Sequence, residues 1–263
     1  MLKMWNDENY FDSYAYIFDG SDYKFFTDIQ RPKRKIKADF AEDSGHYKQQ
    51  DFSLELLQRG IYLTNTEDIS SQRDGEIYKS DVSVYVGVCA GLKSLIKGAV
   101  DNNSSFDYIH VDISPAALDY RMFVDNALKD NYLSNLDDIW NRYQSLDMTR
   151  PLPLFGGGYD SIEDALTDYL KQVGIDRRQW YDFLENYANS NKVYVKIDLI
   201  NNVKLLSSIL PKEKRIWMWY SNAFDWHQFR HTDVTFNCWK TYLEKRHEID
   251  LCGHTPPFTS EKR

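Results

Sequence analysis

From residue 82 onward the chain switches repeatedly between two hydrophobic periods. In "VSVYVGV", Val82, Val84, Val86 and Val88 occupy every second position, the period of a strand. A small-residue turn, "GVCAG", follows, and then Leu92, Leu95, Ile96 and Ala99 recur at helical spacing. "FDYIHVD" is a second strand. Behind it, Ser114 suits an N-cap and Pro115 suits the first helical position. Ala117, Tyr120, Val124 and Leu128 then form one helical stripe. Strand, helix, strand, helix in this order predicts a parallel sheet with helical crossovers.

The pattern then changes. "TRPLPLFGGGYD" (149–160) reads as a proline- and glycine-rich loop. Asp160 with Glu163 has the spacing of a capping box, and Ile162, Ala165, Leu166, Tyr169, Leu170 and Val173 make an apolar face that Gly174 ends. Asp176 with Gln179 starts a second helix carrying Trp180, Phe183, Leu184, Tyr187 and Ala188. The pair reads as a helical hairpin inserted between sheet strands, a lid or wall for a site. The strand period returns in "KVYVKIDLI", where Val193, Val195, Ile197 and Leu199 alternate with Tyr194, Lys196 and Asp198. That alternation predicts an edge strand with one exposed face. "NNVKLLSSILP" predicts a helix stopped by Pro211, "RIWMWYSNAF" an apolar strand with a polar tip, 233–246 a helix, and "EIDLC" a last strand. In the first 80 residues only "YKFFTDI" (23–29) and the end of "SLELLQRGIYLT" (53–64) carry strand signals. The expectation is an α/β chain with a Rossmann-like, mostly parallel sheet flanked by helices. Residues 1–80 would be an N-terminal extension or subdomain, able to complete the sheet. Residues 81–263 would be the cofactor-binding domain, with a helical insertion at about 149–190.

Composition adds limits. The chain has 263 residues, 42% hydrophobic and 27% charged, enough for one large domain. A net charge of −8 argues against bulk, sequence-blind nucleic-acid binding. No run approaches the ~18 apolar residues of a membrane helix, and charges interrupt the first residues too early for a signal peptide. Cys89, Cys238 and Cys252 are an odd set without metal-ligand spacing, which reads as reduced thiols in a cytoplasmic protein.

The chemistry gathers where strands end. In open α/β sheets ligands lie outside the carboxyl ends of the strands. Gly87 and Gly91 bracket the turn after the first strand, where glycine lets a ligand approach the backbone. Asp112 ends the second strand, twenty-one residues after Gly91. A carboxylate beside a glycine turn is suited to a ribose diol, whose hydroxyls it holds by charge-assisted hydrogen bonds.

"VYVGVCAG" followed by "YIHVDISPAALDY" resembles the first two motifs of class I S-adenosylmethionine-dependent methyltransferases. The resemblance implies S-adenosyl-L-methionine as cofactor. It implies that the turn Gly87, Val88, Cys89, Ala90 and Gly91 contacts the methionine part, that Asp112 binds the ribose with Ile113 beside the adenine, and that Asp198 matches the acidic position near the adenine. It further implies that Ser221, Asn222 and Phe224 of "YSNAF" face the methyl acceptor. The sulfonium methyl is already activated, so the protein's task is to hold the acceptor in line. The acceptor is unidentified. A small molecule, sugar or protein is slightly favoured over nucleic acid, and the oligomeric state is not readable.

Two other readings compete. The turn lacks the family's central glycine and the acidic residue before it, which favours a non-catalytic Rossmann-like interaction domain. His110-Val111-Asp112 matches the His-x-Asp of iron- and 2-oxoglutarate-dependent oxygenases, with His227, His231 or His254 as the distant histidine. That reading requires an antiparallel barrel. "RPKRKIK" (31–37) reads as a solvated loop, and the aromatic run 217–220 as core.

Overall fold

A computed structural model of the chain describes residues 14–18, 23–26, 60–64, 82–88, 92–101, 106–146, 152–154, 158–199, 202–221 and 233–253. Among them run β1 (Tyr14–Phe18), β2 (Tyr23–Phe26), β3 (Gly60–Tyr62), β4 (Val84–Val88), α1 (Lys93–Asp101), β5 (Asp107–Asp112), α2 (Pro115–Asp130) and α3 (Leu136–Gln144). β6 (Leu152–Leu154), α4 (Ile162–Val173), α5 (Arg177–Asn189), β7 (Asn191–Lys196), α6 (Val203–Ile209), β8 (Ile216–Ser221), α7 (Asp233–Glu244) and β9 (Ile249–Gly253) follow.

Seven strands form one sheet in the order β2-β1-β7-β5-β4-β8-β9. The five strands from β7 to β9 are parallel, and β1 and β2 join antiparallel at the β7 side. Counting only the parallel strands in chain order, the sheet reads 3-2-1-4-5, the doubly wound order in which the chain reverses direction across the sheet beside the first strand. The expected Rossmann-like α/β sheet is therefore present. β3 and β6 form a separate two-stranded parallel ribbon, Gly60 opposite Leu152 and Tyr62 opposite Leu154.

Strand alternation sorts the core into two clusters, one on each face. Val84, Val86, Ile109, Val111, Val195, Ile216 and Met218 pack with Leu206 of α6 and with Trp239 and Leu243 of α7. Tyr85, Tyr108, Trp217 and Trp219 face the other way, under α1, α2, α4 and α5. Right-handed crossovers account for this: β4 to β5 to β7 moves one way along the sheet, β7 to β8 to β9 the other, so the connecting helices fall on opposite faces.

The local signals hold at most helix ends. Ser114 caps α2, accepting from the Ala117 N–H at 3.4 Å, with Pro115 at the first position. Gly174 ends α4 in the left-handed region at φ 74°, where a side chain would be strained. Asp176 and Gln179 form a reciprocal capping box on α5.

Four expectations change. β7 is not an exposed edge: β1 pairs along it, and Lys192, Tyr194 and Lys196 on its polar positions are buried. The cap of α4 is Ser161, not Asp160, and its oxygen accepts the Asp164 N–H at 3.0 Å. Glu163 instead accepts the Leu136 N–H at 2.9 Å, while Asp137 accepts the Ile162 N–H at 2.7 Å. The first turns of α3 and α4 thus cap each other. The helix α3, capped by Asn135, and the strand β6 lie in stretches with no assigned element or read as loop. Finally, α4 and α5 are no lid: Leu166, Leu170, Trp180, Phe183 and Tyr187 are buried in the same cluster as the sheet residues.

Candidate active site at the carboxyl edge

The parallel register sets side chains in rows across the sheet. One row runs Lys192, Tyr108, Tyr85, Trp217, Asp250, and the next runs Tyr194, His110, Gly87, Trp219, Cys252. In the first row the Tyr85 and Tyr108 rings stack at 5.2 Å, and His110 stacks on Tyr194 at 5.3 Å in the second. Gly87 is the gap in the second row. A Cβ there would lie 2.4 Å from Ser94 Oγ and 2.7 Å from Ser94 Cβ. Its bareness therefore lets α1 approach the sheet, one of the roles glycine plays in this turn. Beyond these rows lies the carboxyl edge, with Asp112 opposite Lys196.

Asp112 is 8% exposed, and its Oδ1 accepts the Ser114 N–H at 2.8 Å. The carboxylate thus sits at the first turn of α2, where helix dipole and free N–H groups favour negative charge. Ile113 follows it, half-buried. The β3–β6 ribbon lies against this end of α2. The Ser114 hydroxyl donates to the Gly60 carbonyl at 2.9 Å, and Ile61 and Leu63 are buried in the core. Tyr62, between them, points away from that core. Burial first, and the Asp112 carboxylate second, push its phenol up to about 12, so it keeps its proton at neutral pH. Sequence reasoning missed Tyr62. "GIYL" gave a strand signal, but nothing in it locates the strand beside Asp112, because that depends on pairing with β6.

Of the other site candidates, Val88 ends β4 half-buried, Asp198 follows β7 half-buried, and Ser221 ends β8 at a register irregularity with β9. The carboxyl edge therefore gathers Gly87, Val88, Asp112, Ile113, Asp198 and Ser221. Cys89, Ala90, Gly91, Asn222 and Phe224 lie outside the described residues, as do the "RPKRKIK" run, His227, His231 and His254.

A second polar cluster lies deeper, between β5, β7, α2 and α5. Asp125 accepts from Arg121 Nη2 at 2.6 Å and Nε at 3.0 Å, from the Tyr187 hydroxyl at 2.8 Å and from the Tyr194 hydroxyl at 2.6 Å. Tyr187 spends its proton on Asp125, so the 2.9 Å contact with His110 Nε2 makes the imidazole the donor, a tautomer fixed by the network. Lys192 donates to the carbonyls of Tyr187, Ala188 and Ser190. Burial pulls His110 down to about 3 even though Asp125 opposes it, and burial pulls Lys192 down to about 8. Burial alone would raise Asp125; Arg121, His110 and Lys192 outweigh it and hold the carboxyl below its usual range. These groups resemble an acid–base constellation, but Asp125, Arg121, His110 and Lys192 are all buried and engaged with one another or with backbone. The cluster binds α2 and α5 to the sheet.

The oxygenase reading finds no support. The sheet is parallel across five strands, His110 donates into the Asp125 network, and among the described residues no three His, Cys, Asp or Glu side chains gather as a metal site. The run 217–220 is buried core. No described helix is long and apolar enough to cross a membrane. No protein-family model, curated protein or solved structure matches the chain.

Proposed function

We propose that the chain is an S-adenosylmethionine-dependent methyltransferase acting on an acceptor still to be identified. The observation that carries this reading is the position of Asp112: a carboxylate ending the second strand of a 3-2-1-4-5 parallel sheet, at the first turn of the following helix. The residues at that edge fit a nucleoside. Asp112 supplies acceptors for ribose hydroxyls, half-buried Ile113 supplies an apolar surface for a base, and Asp198 a further carboxylate. The close seating of α1 over Gly87 fits the tight strand-to-helix turn such a site requires. The bound cofactor supplies an electrophilic methyl group. The chain's residues bind and orient it, and those after β8, from Ser221, hold the acceptor in line and exclude water.

Calorimetry with S-adenosylhomocysteine tests the reading. Asp112→Asn keeps an acceptor for the Ser114 N–H but removes the charge, so it separates ligand binding from helix capping. Micromolar binding by the wild type, weakened at least tenfold in Asp112→Asn at an unchanged melting temperature, is the expected result. A folded wild type that releases no heat overturns it.

One observation favours a non-catalytic interaction domain instead. Gly87 and Asp112 both have structural work, in seating α1 and starting α2, that needs no ligand. On that reading Asp112→Asn leaves S-adenosylhomocysteine binding absent in both proteins.

A further inference from the structure

At the amino edge of the sheet, opposite Asp112, the segments entering β8 and β9 are drawn together. Ile216 pairs with Ile249, and the Ile216 N–H donates to the Glu248 carbonyl at 2.9 Å. His247 clasps the end of α6 from the end of α7. Its Nδ1 donates to the Pro211 carbonyl at 3.3 Å, so its Nε2 accepts the Ser207 hydroxyl proton at 2.8 Å. This clasp brings Lys212, next to Pro211, to the same edge as Lys245 and Arg246. The three cations are exposed and pair with no carboxylate among the described residues. Their neighbours are already neutralised: Lys214 by Asp107, Arg215 by Glu248 and Asp250, and Lys240 by Glu244. Exposed Glu213 adds one opposing charge, so a chain of net charge −8 carries a positive patch here.

The patch continues into a groove of about 580 Å³ along the outer side of α7, where Asn237 and Thr241 lead to Tyr242, Lys245 and Arg246. The Arg246 guanidinium lies over the Tyr242 ring at 3.6 Å, and its Nη1 donates to the Tyr242 carbonyl at 3.0 Å. Ring and carbonyl hold the guanidinium flat, with its outer plane toward solvent. We propose that this groove docks a single-stranded nucleic acid, its phosphates on Lys212 and Lys245 and one base stacked on the Arg246 plane. Unpaired cations beside a planar platform are the combination that single strands recognise. An acidic polypeptide would use the charges but not the plane. The surface lies away from the carboxyl edge, and it stands whether or not the chain binds S-adenosylmethionine.

Fluorescence anisotropy with a fluorescein-labelled oligouridylate 12-mer tests this, at salt concentrations between 50 and 200 mM. The full-length wild type is expected to bind at 50 mM salt with a Kd on the order of 10 μM. The double variant Lys212→Gln with Lys245→Gln should weaken binding about tenfold and lower the salt slope by about 0.7 for each cation removed. Arg246→Lys keeps the charge and loses the plane, so it should weaken binding about fivefold with the salt slope and melting temperature unchanged. A wild type that does not bind the oligonucleotide at 50 mM salt overturns the proposal, and so does a double variant that binds as tightly as the wild type. Equal affinity for poly-L-glutamate of matched charge, or an Arg246→Lys variant with wild-type affinity, assigns the patch to acidic polypeptides and overturns the nucleic-acid partner.

Discussion

The two faces of the sheet solve the same burial problem by different means. Toward α6 and α7 the strands present Val84, Val86, Ile109, Val111, Val195 and Met218, and nothing directional is asked of them. Toward α1, α2 and α5 the same strands present Tyr85, Tyr108, His110, Lys192, Tyr194, Trp217 and Trp219, tied by ring stacking and by the Asp125 network. An aliphatic face is held by area and volume, and it tolerates a swap of similar size. A buried polar face is held by matched partners, and it fails when one is removed. The polar face carries the long excursion α2–α5, whose helices need a fixed angle on the sheet, and specificity of seating is what directional bonds supply.

The sharpest way to break this contrast is Asp125→Ala. It strands the Arg121 guanidinium and removes the acceptor of two phenols in a buried place. Removing one partner of a buried ion pair costs about 3–5 kcal/mol, and urea denaturation should show a loss in that range. The double variant Asp125→Ala with Arg121→Met removes both charges and should recover much of it. A loss under about 1 kcal/mol for the single variant would mean that the network does not hold α2 in place.

Acid should distinguish the faces next. Burial takes His110 from its ordinary 6.5 to about 3. Between those values the unfolded chain binds a proton that the folded chain does not. The stability from this group is complete above about pH 6.5 and is lost as pH falls toward 3, at about 1.4 kcal/mol per pH unit. Asp125, also held below its usual value, adds a loss at still lower pH. Denaturation at pH 7, 6 and 5 should therefore show wild-type stability falling by about 2 kcal/mol from this histidine alone between pH 6.5 and 5. His110→Gln keeps a donor for Tyr187, does not titrate, and should flatten that slope. A slope unchanged in the variant would place the acid sensitivity elsewhere.

The contrast between faces also explains what was legible in the sequence. The aliphatic strands β4 and β5 and the stripes of α1 and α2 follow from periodicity, because apolar residues at fixed spacing have one reading. β7 misled because Lys192, Tyr194 and Lys196, polar and alternating, look the same whether they face water or a buried network. The network residues carried one local signal, Arg121 and Asp125 at i, i+4 beside the apolar stripe of α2, and such pairs usually lie on solvated faces. Asp112 was legible because strand end and helix start are both local patterns. Tyr62 was not, because its position depends on a pairing between residues 60–62 and 152–154 that no local pattern encodes. The capping box read from Asp160 and Glu163 failed because Glu163 serves a distant partner, the Leu136 N–H of α3, while the neighbouring Ser161 caps α4.

The smallest effect belongs to the aliphatic face, and its size and pH dependence complete the comparison. Ile109 sits in β5 beside His110 in sequence but on the opposite side of the sheet, among Val84, Val86, Val111, Val195 and Met218. Ile109→Val removes one methylene and introduces no unsatisfied group. The expected cost is about 0.5–1.5 kcal/mol, the lost transfer energy plus a small cavity, with neighbours free to relax partly into it. Because no titrating group changes partners, the loss should be the same at pH 7 and pH 5. If Ile109→Val steepened the acid slope, the methylene would be acting through the sheet on the His110 side. The two faces would then be one mechanically coupled core, and not two layers that happen to share strands.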